Sequence, residues 1–490
     1  VVELSDGERA RIERIARLLH QAERPVRVLR TVAWPRAVRD RFFERGAREL
    51  PDGIEYQPLD PGPTLEACAQ ARREIEGDDV VDAWLGRLAT VIEGGARMLA
   101  AVGTPELHAL SCELFGRPAD TLADGTSSSL ELALELDRVL AGFTRLELGA
   151  PPLACHLASA LATKMREAVE RQFGADAPEV LVVEELSANA LAGPSAIRLL
   201  RTASFTDRDV HQLIQHEAFV HVATSLNGRA QRALPILGAG HPGTTRTQEG
   251  LAVFAELVTG ALDHDRLRRL ADRVLAVQMS IDGADFLDVY RFFLERTHTR
   301  EQAFENARRV FRGGVLTGRA PFTKDVVYLA GLLRVHNFLR AVVQSGRTDC
   351  MRLLFSGKLD IEDIPALCHL AQAGMCLMPR FLPPWVADLR ALVAYLAYSS
   401  FLDQVDLGAI REHDLELLAH APEIAAERQL PGAQHLVGLP DAVPASESTA
   451  RAAPPSAPSS EERRRQAALP SGAVRRRAQS KQRGRGRRRA

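Results

Sequence analysis

The chain is 490 residues long with 46% hydrophobic content, ordinary for a globular protein. Its net charge of −1 hides an asymmetry: residues 463–490 hold twelve Lys/Arg and no acid, leaving 50 basic against 63 acidic residues elsewhere, about −13. The six cysteines are scattered without CxxC pairs and read as reduced, mostly buried thiols; no apolar run looks long enough to span a bilayer, and VVELSDGERARIERI has no signal-peptide core.

In chain order, residues 6–23 read as an amphipathic helix. Residues 27–32, RVLRTV, read as a short extended segment, and Pro35 opens a helix over 36–50. After the turn at Pro51-Asp52-Gly53, residues 54–56 read as a short strand. Helical periodicity marks 64–76, 80–102, 105–115, 127–143 and 153–173. Then the period changes, and EVLVVE (179–184) and SAIRLLRT (195–202) read as strands.

A helix follows, capped by Thr206 with Asp209 and ended by Asn227-Gly228. Residues 229–247 form a connector whose Gly238, Gly240, Pro242 and Gly243 oppose regular helix, with His241 and Arg246 on a surface loop. Thr247 is expected to cap the next helix, placing Glu249 in its first turn. Its small Gly250, Ala252 and Ala255 should allow close approach to the preceding helix. Further helices are predicted over 264–280, 284–295, 300–311, from Pro321 to Asp325 onward, and across 349–426, where Tyr395, Tyr398 and Phe401 should pack a core. From Gly432 the composition turns to Pro, Ala, Ser and Arg, as in a disordered tail.

The chemistry concentrates in HQLIQHEAFVH. His216 and His221 flank Glu217, and Glu249 lies on the following helix. Two histidines and a carboxylate are a ligand set for catalytic zinc, with a position left open for water. Glu217 directly follows the first ligand, where HExxH carries its general base. The spacing is five rather than four, however. On an α-helix an i,i+4 pair lies about 40° apart around the axis and an i,i+5 pair about 140° apart. Both rings can face one metal only if the helix widens between Glu217 and His221, most simply into a π-bulge. Glu256, seven residues after Glu249, is a candidate partner for a ligand histidine.

HExxxH followed by Gln248-Glu249-Gly250-Leu251-Ala252 resembles the tubulin-tyrosine-carboxypeptidase-like metallopeptidases, whose bacterial members are called flavohemoglobin expression-modulating QEGLA motif proteins. The likeness runs over roughly residues 20–400 and takes in residues 98–118, Phe205-Thr206, Asn227-Gly228 and residues 321–325 with Tyr328. It implies zinc on His216, His221 and Glu249, catalysis by Glu217, and carboxypeptidase action on a peptide or protein C-terminus. For the terminal carboxylate and the developing oxyanion, Arg312, Lys324 and Tyr328 are the candidates.

These readings give a predominantly helical α+β fold with a zincin-like catalytic core, a HExxxH metal helix and a few strands. The expected division is an N-terminal helical region (1–150), a metallopeptidase region (151–430) and a disordered basic tail (431–490). The protein is expected to be cytoplasmic, without a membrane partner. Two other functions fit parts of the chain. One is a non-catalytic regulator with a structural metal site closed by a fourth ligand such as His241 or His211. The other is a nucleic-acid-associated regulator whose tail binds nucleic acid or an acidic partner by charge. The same two-His, one-carboxylate set also suits iron(II), but Glu217 beside it favours hydrolysis.

Overall fold

The computed structural model describes residues 4–142, 154–186, 189–193, 195–297, 299–402 and 404–420. The boundary expected at residue 150 and the tail 431–490 lie outside them. The described chain is predominantly helical with a few short strands, consistent with α+β.

The N-terminal part runs through α1 (Asp6–Glu23), α2 (Val28–Thr31), α3 (Arg36–Glu44), α4 (Gly62–Arg73), α5 (Val80–Ala100), α6 (Pro105–Phe115) and α7 (Ser129–Gly142). Ser5 and Glu8 form a capping box that starts α1, and its Ile12, Ile15, Ala16 and Leu19 are buried. RVLRTV is helical over Val28–Thr31, not extended: among the described residues it pairs with no strand, and the backbone closes its own bonds, Thr31 N to Arg27 O. Residues 54–56 form no strand either. Tyr56 pins this segment, its hydroxyl accepting from Trp34 Nε1 at 2.6 Å and Gly313 N at 2.7 Å.

The strands are β1 (His156–Leu157), then, after α8 (Ala158–Phe173), β2 (Glu179–Val183), β3 (Ala190–Ala192), β4 (Ala196–Leu200) and β5 (Ser204–Phe205). The order in the larger sheet is β2-β4-β3, with β2 parallel and β3 antiparallel to β4; β1 pairs with β5. One face of the sheet is buried with Leu161, Met165, Phe173, Ala218 and Val222.

From Thr206 one continuous helical run follows: α9 (Asp207–Leu213), a π segment (Ile214–Val222) and α10 (Ala223–Arg229). Asn227-Gly228 was expected to end this run in a left-handed residue, but both residues are helical. Asn227 instead fastens the run to distant loops, donating to Phe355 O and Phe381 O and accepting from Arg380 N and Phe381 N. Gly228 lies so close to the connector that an added Cβ would sit 2.2 Å from Leu237 O.

The next helix, α11 (Pro242–Val258), starts earlier than predicted, with Pro242 and Gly243 in its first turn. Thr247 is therefore interior and donates to Asp360 at 2.8 Å. The small residue Gly250 approaches α15 (Val327–Gln344) rather than the π segment: its Cβ would meet Gly331 O at 2.3 Å. Between them lie α12 (His264–Asp282), α13 (Phe286–Leu294), α14 (Arg300–Phe311) and a 3₁₀ turn (Thr323–Val326); α16 (Thr348–Leu353), α17 (Ile364–Gln372), α18 (Pro384–Ala387), α19 (Leu389–Leu402) and α20 (Leu407–His420) follow.

One apolar core joins α1, α4 and α5 to α11 and α15, and a second, aromatic core packs Trp34, Phe42, Phe286, Tyr290 and Phe304. Tyr395 packs against Phe254, but Tyr398 and Phe401 are 61% and 59% exposed, against the expectation that they fill a core. The expectation that no apolar run reaches membrane-spanning length also fails. The stretch Thr323–Gln344 is long and apolar enough, by length and composition, to cross a membrane. Half of its most apolar part is buried, with Val327, Val335, Leu339 and Val342 in the main core.

Candidate metal centre

The site is built on the π segment. Thr206 Oγ1 accepts from Asp209 N, and Asp209 Oδ2 accepts from Thr206 N, so the predicted capping box starts the run. A π turn closes hydrogen bonds five residues apart and so brings residues at that spacing onto one face. The ring centroids of His216 and His221 are 4.9 Å apart, as the expected widening requires. Glu249, from α11, places Oε2 3.6 Å from His216 Nε2 and 3.8 Å from His221 Nε2. Among the described residues these three form a group whose donor atoms lie within 4.8 Å of one another. Tetrahedral zinc, with bonds near 2.0–2.1 Å, would space its donors about 3.3 Å apart, so a small inward movement fits the set to that ion.

The surrounding charges hold this geometry. His216 Nδ1 lies 2.7 Å from Glu256 Oε1, which leaves Nε2 to face Glu249 and His221. Glu256 is fully buried and is itself held by Arg266, at 2.8 Å and 3.0 Å, and by Gln212 at 2.8 Å. Burial works against the His216 imidazolium, but hydrogen bonds to Glu249 and Glu256 outweigh it and raise the group to about 10. A positive charge is thus favoured between these carboxylates, as a bound cation would be. Lys324 Nζ donates to Glu249 Oε1 at 3.0 Å. Burial opposes the ionised form of Glu249, but Lys324 and the two histidines hold the carboxyl well below its usual range. If Glu256 orients His216, Glu256→Gln weakens metal binding about 10- to 100-fold, measured by competition with a chelator of known affinity.

Glu217 Oε2 accepts from Ala192 N at 3.1 Å, so the carboxylate beside the histidines is anchored on β3, an edge of its sheet. Glu217 opens on a cavity of about 630 Å³ together with His216, His221, Glu249, β3 and a band of cations. The family model of the microtubule-associated tyrosine carboxypeptidase matches residues 40–404, well over half of the chain. The chain belongs to this family. No curated protein matches it. The family is one of carboxypeptidases, which implies peptide or protein substrates.

In this member of the family the three candidate substrate residues all line the same cavity. Arg312 is 4% exposed, and its Nε has no hydrogen-bond partner among the described residues. Burial and the neighbouring Arg309 push its guanidinium down to about 10. Lys324 reaches Glu249, as described. The Tyr328 hydroxyl accepts from Arg309 Nη2 at 3.3 Å, and its ring lies 4.9 Å from the Arg273 guanidinium carbon.

Several cavity residues escaped the sequence reading. Arg309 is half-buried and paired in bidentate fashion with Asp325 at 2.6 Å and 2.7 Å. Beside it, burial and Arg309 lower Arg273 to about 9; its Nε has no hydrogen bond among the described residues and lies 3.9 Å from Asp325 Oδ2. The run Arg308-Arg309 followed by Arg312 was the available signal, since i,i+3 residues share a helix face. His241 and Lys358 also face the cavity; His241 is buried rather than on a surface loop, and burial takes its imidazole down to about 4. Arg246 reaches inward as well, donating to Phe115 O at 3.1 Å. His108, by contrast, is a packing residue: Nδ1 bonds Pro321 O at 2.7 Å.

Proposed function

We propose that the protein is a zinc-dependent carboxypeptidase with a zincin-like site in which His216, His221 and Glu249 hold the metal and Glu217 is the general base. The observation that carries this is the π turn, which brings residues five apart to a ring separation of 4.9 Å opposite Glu249. Among the described residues the donor group has three members, which suits a catalytic centre with an open position rather than a closed structural one. A zinc ion bound there supplies a Lewis acid that polarises the scissile carbonyl and acidifies water.

The remaining work falls to the chain. Glu217, fixed by Ala192 N, takes the proton from the attacking water and delivers it to the leaving amine. The β3 edge offers backbone groups to an extended peptide by strand addition. Lys324 holds Glu249 in place. Arg312 is buried, with no hydrogen bond to its Nε among the described residues; Arg273 is half-buried, its Nε 3.9 Å from Asp325 Oδ2, and both guanidinium groups are lowered by burial and by Arg309. An anion relieves that cost, and the α-carboxylate of a peptide C-terminus is the anion we assign to them. Tyr328, whose ring lies against Arg273, Arg309 and Lys324, is the donor we assign to the carboxylate or the oxyanion.

Peptides with free and amidated C-termini test this reading. The free acid is expected to be trimmed from its end and the amide left intact; equal cleavage of both would contradict terminal-carboxylate recognition. Arg312→Ala is expected to raise KM for the free acid about 10- to 100-fold, the loss of a charged hydrogen bond, with a much smaller change in kcat.

A further inference from the structure

Away from the cavity, α16 and α17 bring two thiols together. Cys350 Sγ and Cys368 Sγ are 3.9 Å apart, the first buried and the second half-buried. A disulfide needs about 2.05 Å between sulfurs, a movement that rotation about the side-chain bonds can supply. Asp349 adds a third donor to the group. Even so, a cation is a poor occupant, because one is already there: Arg347 donates to both Asp349 oxygens, at 2.9 Å and 2.8 Å, and its Nη2 lies 3.9 Å from Cys368 Sγ. Cys376 is buried apart, 3% exposed, with its sulfur directed at Leu377 O.

We propose that Cys350 and Cys368 form a thiol modification site, a dithiol that hydroperoxides convert to a reversible disulfide. Cys368 is the more accessible sulfur and reacts first. Its thiolate attacks one peroxide oxygen, the O–O bond breaks, and Cys368 becomes a sulfenic acid while the departing oxygen takes a proton. The Cys350 sulfur then attacks the Cys368 sulfur, the S–S bond forms, and hydroxide leaves to be protonated to water. Two thiols lose two electrons and two protons, and the peroxide is reduced by the same two electrons.

The bond would close the segment between α16 and α17, which buttresses the site. Phe355 O and Ser356 O accept from Asn227 and Gln231, Lys358 reaches the cavity, and Asp360 holds Thr247 of α11 and Arg334 of α15. Oxidation therefore staples the wall behind the π segment without touching the proposed ligands.

Mass spectrometry on the full chain tests this, after dilute hydrogen peroxide, alkylation of remaining thiols and tryptic digestion. The expected product joins residues 348–352 to residues 359–380, lighter by the two hydrogens lost, with Cys376 alkylated. Two fewer thiols should react with the alkylating agent, and dithiothreitol should restore both. Cys376→Ser should retain the cross-link, and Cys368→Ser should abolish it. A Cys368–Cys376 cross-link, or Cys368 sulfinic acid with Cys350 still free, would overturn the proposal. The readout involves no peptidase activity, so it stands or falls separately from the proposed function.

Discussion

Glu217→Gln is expected to lower kcat/KM for peptide hydrolysis by about 10³-fold, within the usual range for a lost general base. The amide has nearly the shape of the carboxylate, and its oxygen can still accept from Ala192 N, so β3 should keep its place. Glu217 is not among the three grouped donors, so metal content should be unchanged. The pairing of these two results is what matters. Lost activity with metal retained assigns Glu217 to proton transfer, whereas lost activity with lost metal would make it a structural support. Activity within a few-fold of wild type would remove it from the mechanism.

The second large effect falls on the fold, at a residue inside the QEGLA motif. Gly250→Ala is expected to destabilise the protein by about 3 kcal/mol, the upper end of ordinary overpacking. At the crossing of α11 and α15 the added Cβ would sit 2.3 Å from Gly331 O and 2.5 Å from its carbonyl carbon. These are backbone atoms of a helix and cannot rotate away. Gly331 has the same constraint in reverse, its Cβ meeting Arg246 O at 2.3 Å. Because Glu249 is the adjacent residue, forced separation of the two helices should also weaken metal binding. Gly7→Ala in the first turn of α1, where an added Cβ meets only Ser5 Oγ at 3.9 Å among the described residues, serves as the control. Urea denaturation of the three proteins measures the difference; equal midpoints for Gly250→Ala and wild type would show that the crossing opens at no cost.

The candidate centre was largely legible in the sequence because its chemistry is local. His216, Glu217 and His221 lie within one short stretch, and helical geometry alone demands a widened turn at that spacing, which the π segment supplies. Glu256 was legible as a residue sharing a helix face with Glu249, and it meets His216. The long helices with clear periodicity and caps, such as α1, α5 and α12, also matched to within a few residues.

What was not legible depends on contacts far along the chain. RVLRTV has a strand-like composition, but a strand needs a pairing partner, and among the described residues it pairs with none. Asn227-Gly228 has the local chemistry of a helix stop, yet tertiary partners from residues 355 and 380–381 use Asn227 as a latch. The Gly/Pro connector looked like a surface loop. Close glycine approaches, such as Gly228 to Gly238, instead fold it inward and bury His241. Ala190–Ala192 is too short and too poor in branched residues to announce a strand, although it carries the amide that anchors Glu217.

The metal content of purified wild-type protein never exposed to chelator, measured together with the products it makes from a mixed peptide library, tests the zinc carboxypeptidase reading most directly. Close to one zinc per chain and products shortened from their C-termini are expected. Folded protein without bound metal would contradict that reading, as would zinc-loaded protein that cuts only internal peptide bonds.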